Sequence, residues 1–355
     1  MAGRKHFTFK KRYLLIVVGL AAFLIYVYLF VPFGQLLEAT AKLSPSFFLL
    51  AFFAMIFSMA LYSFVWQRLL DLLSVKASFL KSFQFVWVEN FVDLVIPGEP
   101  VSGEISRVYL MSKETGANYG KVVASAVGQR IATTCMTVAV LLVSIVYFVF
   151  STKPPFLVLA FVGAIMLGDI ITIVLLFYLA LRKTSTRKLA NWLFNIIPRV
   201  SRGRWKFEQE REKTMKALDI FHEEIHTLGE HRKSLIVPIM LTAISWLSDI
   251  SIAILVFLSL GYAGTAISIS AIIIVYCISG SIQYLPIGVI PGEVGLTEII
   301  MTTLFTVLGK TQFFAVFAVA TVFIRLLTFW VKLLISGIVV QFTAIESLVP
   351  SQVPS

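Results

Sequence analysis

The sequence has 355 residues, of which 58% are hydrophobic and only 14% are charged, and its mean hydropathy is +0.91. Soluble globular domains carry about 25% charged residues, so the composition excludes a soluble protein and predicts an integral membrane protein. Loops that face the cytoplasm and anionic lipid explain the net charge of +11 better than a nucleic-acid partner does. The sequence has no zinc-ligand spacing, P-loop or dinucleotide fingerprint, and we predict neither a metal nor a cofactor.

The spans can be placed in chain order, because about 20 apolar residues cross a bilayer as a helix. A basic head at 1–12 precedes the first apolar run, which no small-residue cleavage site follows. We therefore interpret that run as an uncleaved span and not as a signal peptide. A short tail at 346–355 ends the sequence. The six predicted spans are 13–31, 46–70, 121–150, 155–181, 235–260 and 311–345.

Two further apolar stretches, 78–112 and 266–309, are interrupted by the same five residues, V-I-P-G-E. Proline and glycine stop a helix and free backbone groups, which are tolerated at membrane depth only where they are buried or line a wet cavity. Each stretch therefore predicts a broken-helix hairpin that enters and leaves the membrane on one side. The hairpin tips would contain Pro97, Gly98, Gly103, Pro291, Gly292 and Gly295.

Of the 30 Lys and Arg residues, 24 fall on one side of this arrangement, three fall on the other side and three lie inside spans. The positive-inside rule then predicts that both termini are cytoplasmic. The order span, span, hairpin, span occurs twice, at 13–150 and at 155–345, with opposite orientations. This is the pattern of an inverted repeat, which in secondary transporters places broken helices and the substrate near the membrane midplane. The predicted fold class is all-α, with six spans and two opposed hairpins.

The polar loop 182–234 interrupts the second repeat. Apolar and basic residues around Trp192 predict a short helix on the membrane surface, in contact with anionic lipid at the cytoplasmic face. A second helix, beyond residue 205, would pack on the membrane domain or on a second subunit. A homo-oligomer is therefore one of the possible assemblies. His222 and His226 stand four apart and could hold a metal, but a solvated helix face explains them better.

Charged residues inside the apolar stretches need a partner, water or a function, because a charge at the bilayer centre costs about 2.5–3.5 kcal/mol or more. Arg130 and Arg325 each follow a hairpin at almost the same distance. The second hairpin arms start near Ser102 and Gly295, where free N–H groups favour an anion such as a phosphate. The predicted substrate-binding residues are Arg130, Arg325, Glu99, Glu104, Glu293, Glu298, Arg107, Glu89 and Asp93.

Two alternatives stay open for these charges. Arg130 and Arg325 could be permanent partners of the hairpin glutamates and lock the tips in place. The glutamates could instead hold a cationic head group, a sugar or a coupling proton. Asp169, Asp249 and Lys332 lie in other spans, and they are candidates either for proton coupling or for locking helices together.

The motifs resemble one known family. The residues that carry the resemblance are "LVIPGEPVSGEISRVYLM", "ASAVGQRI" and "LPIGVIPGEVGLTEIIM". With these, the chain resembles the transmembrane domain of the lysylphosphatidylglycerol synthase/flippase family over nearly all of 13–345. The resemblance implies a lipid-translocating domain with two opposed broken-helix hairpins. The matching positions are Pro97, Gly103, Glu104, Arg107, Arg130, Pro291, Gly292, Gly295 and Glu298.

The best-known members of that family also carry a large C-terminal soluble domain that aminoacylates lipid, whereas this sequence stops at Ser355. We therefore expect lipid movement and not lipid synthesis. The leading hypothesis is a flippase-like transporter in the plasma membrane of a prokaryote, with no catalytic residues assigned. The alternatives are an integral-membrane enzyme acting on a lipid-linked substrate, and a non-catalytic scaffold that docks partners through the 205–231 helix.

Overall fold

The computed structural model describes residues 33–95, 101–152, 156–201, 207–283 and 294–348, and these ranges are helical with no β-strand. They confirm the predicted all-α membrane class. The helices are α1 Phe33–Lys42, α2 Pro45–Leu72, α3 Phe79–Val95, α4 Val101–Thr115, α5 Tyr119–Thr152, α6 Phe156–Leu181, α7 Lys183–Ser201, α8 Phe207–Glu230, α9 Ile236–Ser259, α10 Ile269–Gln283, α11 Leu296–Leu308, α12 Phe314–Arg325 and α13 Lys332–Leu348.

Five helical segments in the described ranges are long and apolar enough to cross a membrane. They coincide with five of the six predicted spans, and the predicted span 13–31 lies outside the described residues. The last segment is not uniform, because a π-helical stretch, Leu326–Val331, separates α12 from α13. Wide turns of this kind are frequently found at functional sites. The five segments are Pro45–Leu72, Tyr119–Ser151, Phe156–Leu181, Ile236–Ser259 and Thr311–Thr343.

The two stretches predicted as hairpins each contain a pair of shorter helices. Helix α3 contacts α4, and α10 contacts α11. The breaks between them, 96–100 and 284–293, lie outside the described residues, and so do the predicted tip and site residues in them. The re-entrant path and the inverted repeat therefore stay predictions. The residues concerned are Pro97, Gly98, Glu99, Pro291, Gly292 and Glu293.

Helices α2 and α9 pack along each other. Polar groups join them inside the apolar core. Ser245 Oγ donates to the Ser58 carbonyl at 3.0 Å, and Ser248 Oγ donates to the Ala54 carbonyl at 3.0 Å. Small polar residues allow close approach of helices and hydrogen bonds between them in a membrane. Helices α5, α10 and α12 also pack on α9, and α13 packs on α3.

Helix α8 packs on the membrane-spanning helices α5 and α6. Phe221 and Leu228 of α8 are buried in a small apolar cluster with residues of neighbouring helices. A Cβ at Gly120 would collide with the backbone of α8 at Ala217. A hydrogen bond from Lys183 of α7, with Arg187 nearby, holds the pKa of Asp219 on α8 below its usual value. The polar loop is therefore attached to the bundle as a folded unit.

Candidate functional site

A cavity of about 270 Å³, lined by both polar and apolar side chains, lies between the membrane helices. Its walls come from α2, α3, α5, α9, α10 and α11, and from the last span on both sides of the π-helical stretch. Six charged side chains line it. The first and the last of these residues are more than 240 positions apart in the sequence. Only the packing of the helices brings the six together. They are Glu89, Asp93, Arg130, Asp249, Arg325 and Lys332.

Arg325 is held by a glutamate of the second hairpin. Its Nε donates to Glu298 Oε1 at 2.8 Å, and the two side chains are only 4% and 0% exposed. The other carboxylate oxygen accepts the Gly295 N–H at 2.6 Å, so Glu298 also caps its own helix α11. Gly295 has φ +90°, which favours glycine at this turn. The Arg325 guanidinium also stacks over the Phe329 ring at 4.7 Å.

Arg130 is held by a glutamate of the first hairpin, but more loosely. Its Nη1 lies 3.4 Å from Glu104 Oε1, and the side chains are 18% and 22% exposed. Both arginines thus contact a glutamate of the hairpin arm that precedes them. This is the arrangement of the locking alternative, and it shows that neither arginine enters the cavity as a bare charge.

The expectation that both second arms begin with N–H groups open to an anion needs correction. At the start of α4, Asp93 Oδ1 accepts the Gly103 N–H at 2.7 Å and the Ser102 hydroxyl at 3.2 Å. A Cβ at Gly103 would overlap the Asp93 carboxylate, which explains the glycine. At the start of α11, Glu298 occupies the equivalent place. A carboxylate of the chain therefore stands where a substrate phosphate was expected, because it satisfies the same donors.

Glu89 of the cavity lining pairs with Arg107, which lies behind the cavity wall. Arg107 Nη1 lies 3.1 Å from Glu89 Oε2, and Arg107 is fully buried. The same nitrogen donates to Gln129 Oε1 at 3.0 Å, and Gln129 in turn donates to the Tyr62 carbonyl at 2.7 Å. The guanidinium packs over Trp66 at 4.7 Å. Arg107 is absent from the cavity lining, and these contacts support a role in positioning α3 and α4.

Asp249 and Lys332 form a second polar cluster on the cavity wall. Lys332 Nζ lies 3.8 Å from Asp249 Oδ1, and the Tyr276 hydroxyl donates to Oδ2 at 2.8 Å. Ser58 Oγ donates to Oδ1 at 3.3 Å. Asp169 is not part of the cavity lining. Its Oδ2 accepts a hydrogen bond from the Ser281 hydroxyl at 2.7 Å. Of the three proton-coupling candidates, only Asp249 and Lys332 therefore reach the cavity.

The sequence analysis missed the uncharged polar residues of the cavity. Thr133 and Thr137 follow Arg130 by three and seven positions, so the three share one helix face. That spacing was the signal that could have found them. The other missed residues had no such signal, because isolated Ser, Thr or Trp residues are common in spans. They include Ser58, Asn90, Thr242, Ser245, Trp246, Tyr276 and Thr297.

Comparison with known families matches residues 15–336 to the lysylphosphatidylglycerol synthase TM region. The chain belongs to this family. A UPF0104 membrane protein of Pyrococcus horikoshii is 25% identical over 333 residues, which cover 93% of this chain and 96% of the relative. A UPF0104 membrane protein of Methanothermobacter thermautotrophicus is 23% identical over 325 residues, which cover 89% and 91%. The family thus includes relatives of similar length, whose names state only that they are membrane proteins.

Proposed function

We propose that this protein is a flippase-like transporter that moves a phospholipid, or another lipid-linked head group, across the plasma membrane. The head group would pass through the cavity near the membrane midplane, between the two hairpins. Both termini would be cytoplasmic, and the two halves would rock against each other to alternate access. The membership in a family of lipid-related membrane domains agrees with this proposal.

One observation carries the proposal: charged groups from distant parts of the chain, although paired, line a cavity that leaves room for a polar ligand. Close-packed interiors have few voids larger than a water molecule. A purely structural set of ion pairs would need no space of about 270 Å³ beside it. Because burial of charge is costly in a membrane, a polar cavity at this position favours a polar cargo over a locking role.

The two arginines would serve the head group unequally. The Arg130–Glu104 pair is partly exposed and its atoms are 3.4 Å apart, so a phosphate oxygen can replace the glutamate at a low cost. The Arg325–Glu298 pair is sealed and also caps a helix. We therefore assign phosphate binding first to Arg130, with Arg325 as the fixed positive charge on the opposite wall.

Reconstitution in lipid vesicles tests the proposal. Purified protein is placed in vesicles that contain a trace of fluorescent phospholipid, and the label that has moved between leaflets is measured by its accessibility to a membrane-impermeant quencher. We expect movement well above that of protein-free vesicles, and a loss of at least about 10-fold in Arg130→Ala. Lys216→Ala is the matched control, because Lys216 is 71% exposed on α8. Vesicles in which the wild type moves no lipid would favour the enzyme or scaffold alternatives.

A further inference from the structure

One face of helix α7 makes polar contacts with α8. Lys183 and Arg187 both contact the carboxylate of Asp219. Asn191 accepts hydrogen bonds from Arg211. The three α7 residues follow one another at intervals of four positions, so they share one side of the helix. This polar side is the one that α7 turns toward the rest of the loop.

The opposite face of α7 is apolar and uncovered. Leu189, Trp192 and Leu193 are 41%, 58% and 45% exposed. Since an α-helix has 3.6 residues per turn, these three side chains lie together, about half a turn away from the polar side. A surface helix usually has the reverse arrangement, with its apolar face against the protein. The apolar face of α7 therefore needs a partner beyond the described residues.

This apolar face continues the exposed surface of the preceding span. Helix α6 has 26 residues, which extend about 39 Å and exceed a hydrocarbon core of about 30 Å. A centred span of this length ends among the lipid head groups, where Tyr178 and Leu181 are exposed. The hydroxyl groups of Tyr178 and Ser185 are 2.9 Å apart, and Thr186 Oγ1 donates to the Leu179 carbonyl at 2.6 Å. These bonds hold the start of α7 at the same depth.

Basic side chains lie beside the apolar face. Arg182 and Lys188 are exposed, and neither makes an ion pair with another described residue. The sequence of α7 contains no Asp or Glu. A two-fold dimer through this face would bring the same basic residues of two copies together, which is unfavourable. An anionic lipid surface attracts them instead, so it fits this face better than a second copy of the chain does.

We propose that α7 lies along the surface of an anionic bilayer. Leu189, Trp192 and Leu193 insert between the lipid head groups, and Arg182 and Lys188 bind lipid phosphates. Tryptophan is enriched at this depth in membrane proteins. The sequence predicts only a surface helix around Trp192, whereas the contacts with α8 identify which side of it meets the lipid. This surface is separate from the cavity, and the inference does not depend on whether the protein moves lipid.

Hydrogen exchange of the full-length protein in nanodiscs tests the inference. Three discs are compared: phosphatidylcholine alone, and phosphatidylcholine mixed in equal parts with phosphatidylglycerol or with phosphatidylserine. The two anionic lipids share a charge but not a head group, so binding of one head group in the cavity is distinguished from an effect of surface charge. We expect α7 amides to exchange about 5- to 25-fold more slowly in both anionic discs, about 5-fold for each of two basic side chains. High salt should remove most of this difference.

Two variants separate the charge from the apolar insertion. Lys188→Gln should speed the exchange of α7 about 5-fold in the anionic discs and leave it unchanged in phosphatidylcholine. Trp192→Ser should speed it about 10-fold in all three discs, because apolar insertion does not need a lipid charge. The matched control is Lys216→Gln, which should have no effect, because Lys216 is 71% exposed on α8 and pairs with Glu212.

Four results would overturn the inference. Two of them are equal exchange of α7 in all three discs and no effect of Lys188→Gln in the anionic discs. The third is slower exchange with phosphatidylglycerol alone, which would assign the effect to one head group and not to surface charge. The fourth comes from comparing discs that hold one copy with discs that hold two. Slow exchange of α7 only with two copies would show that a second copy covers the apolar face.

Discussion

The two pairs that join an arginine to a hairpin glutamate differ in their access to the cavity. Glu298 and Arg325 are almost completely buried, and Glu298 also caps α11. Glu104 and Arg130 are about one fifth exposed, and the start of α4 is capped by a different residue, Asp93. The same residue types thus form an almost fully buried pair in one half and a partly exposed pair in the other, and we propose that only the exposed pair exchanges its glutamate for a ligand. Matching motifs in the two halves do not imply matching roles.

The largest effect on stability is expected when the buried pair of Arg325 and Glu298 is broken. Glu298→Ala should destabilise the protein by about 3–5 kcal/mol, because it removes the carboxylate that the buried Arg325 contacts and the cap of α11. The loss of stability is measured by thermal unfolding in detergent, which is monitored as the loss of monodisperse protein. Glu298→Gln is the milder control, since it can still accept the Gly295 N–H. A stability of Glu298→Ala equal to the wild type would contradict the fixed-support role.

A smaller effect is expected at the cap of the other hairpin. Gly103→Ala places a Cβ against the Asp93 carboxylate and should cost about 1–3 kcal/mol, as overpacking usually does. The control is Gly163→Ala in α6, where a Cβ meets nothing within 4 Å and the helix should gain up to about 1 kcal/mol. Thermal unfolding of the two variants should therefore shift in opposite directions.

The pair of Arg130 and Glu104 should contribute less to stability than the pair of Arg325 and Glu298. Arg130→Ala should lower the stability by less than Glu298→Ala does, because the Arg130–Glu104 pair is more exposed and Glu104 caps no helix start. Its effect should appear in lipid movement, as described above. If thermal unfolding showed Arg130→Ala to be as unstable as Glu298→Ala, the distinction between the two pairs would fail.

The smallest effect is expected outside the membrane, between α7 and α8. The folded-state pKa of Asp219 is lowered by Lys183 and Arg187, so its stabilising contribution is present at neutral pH. It should be lost as the pH falls below the ordinary aspartate value of about 3.9. Asp219 is 35% exposed, so the effect is modest. Hydrogen exchange of α8 amides should be slightly faster in Asp219→Asn at pH 7, and the two proteins should converge in acid.

The sequence was sufficient to predict the helical segments. Length and hydropathy place a span wherever about 20 apolar residues occur together, and five described helices agree with that rule. The lipid-related family could also be recognised, because its motifs combine helix-breaking residues with charges in apolar stretches. The charged residues could also be identified in the sequence, because each charge inside an apolar stretch is costly in a membrane.

Which of those charges face one another could not be predicted, because ion pairs depend on the rotation and depth of each helix. Glu89 and Glu104 were equal candidates in sequence, yet one pairs with Arg107 and the other with Arg130. Asp169 and Asp249 were likewise equal, and only Asp249 reaches the cavity. Apart from Thr133 and Thr137, whose spacing from Arg130 places them on the same helix face, the hydroxyl groups of the lining could not be predicted either, since a threonine costs little in a span.

The sequence by itself determined the membrane class, the span positions, the family and the set of polar residues that need an explanation. It could do so because hydropathy, helix breaking and the cost of buried charge are local properties. Only the tertiary structure decided that Asp93 and Glu298 occupy the helix starts expected to bind an anion, that one arginine is sealed, and that hydroxyl groups line the space between. These follow from distances between helices far apart in the chain, which no local pattern specifies.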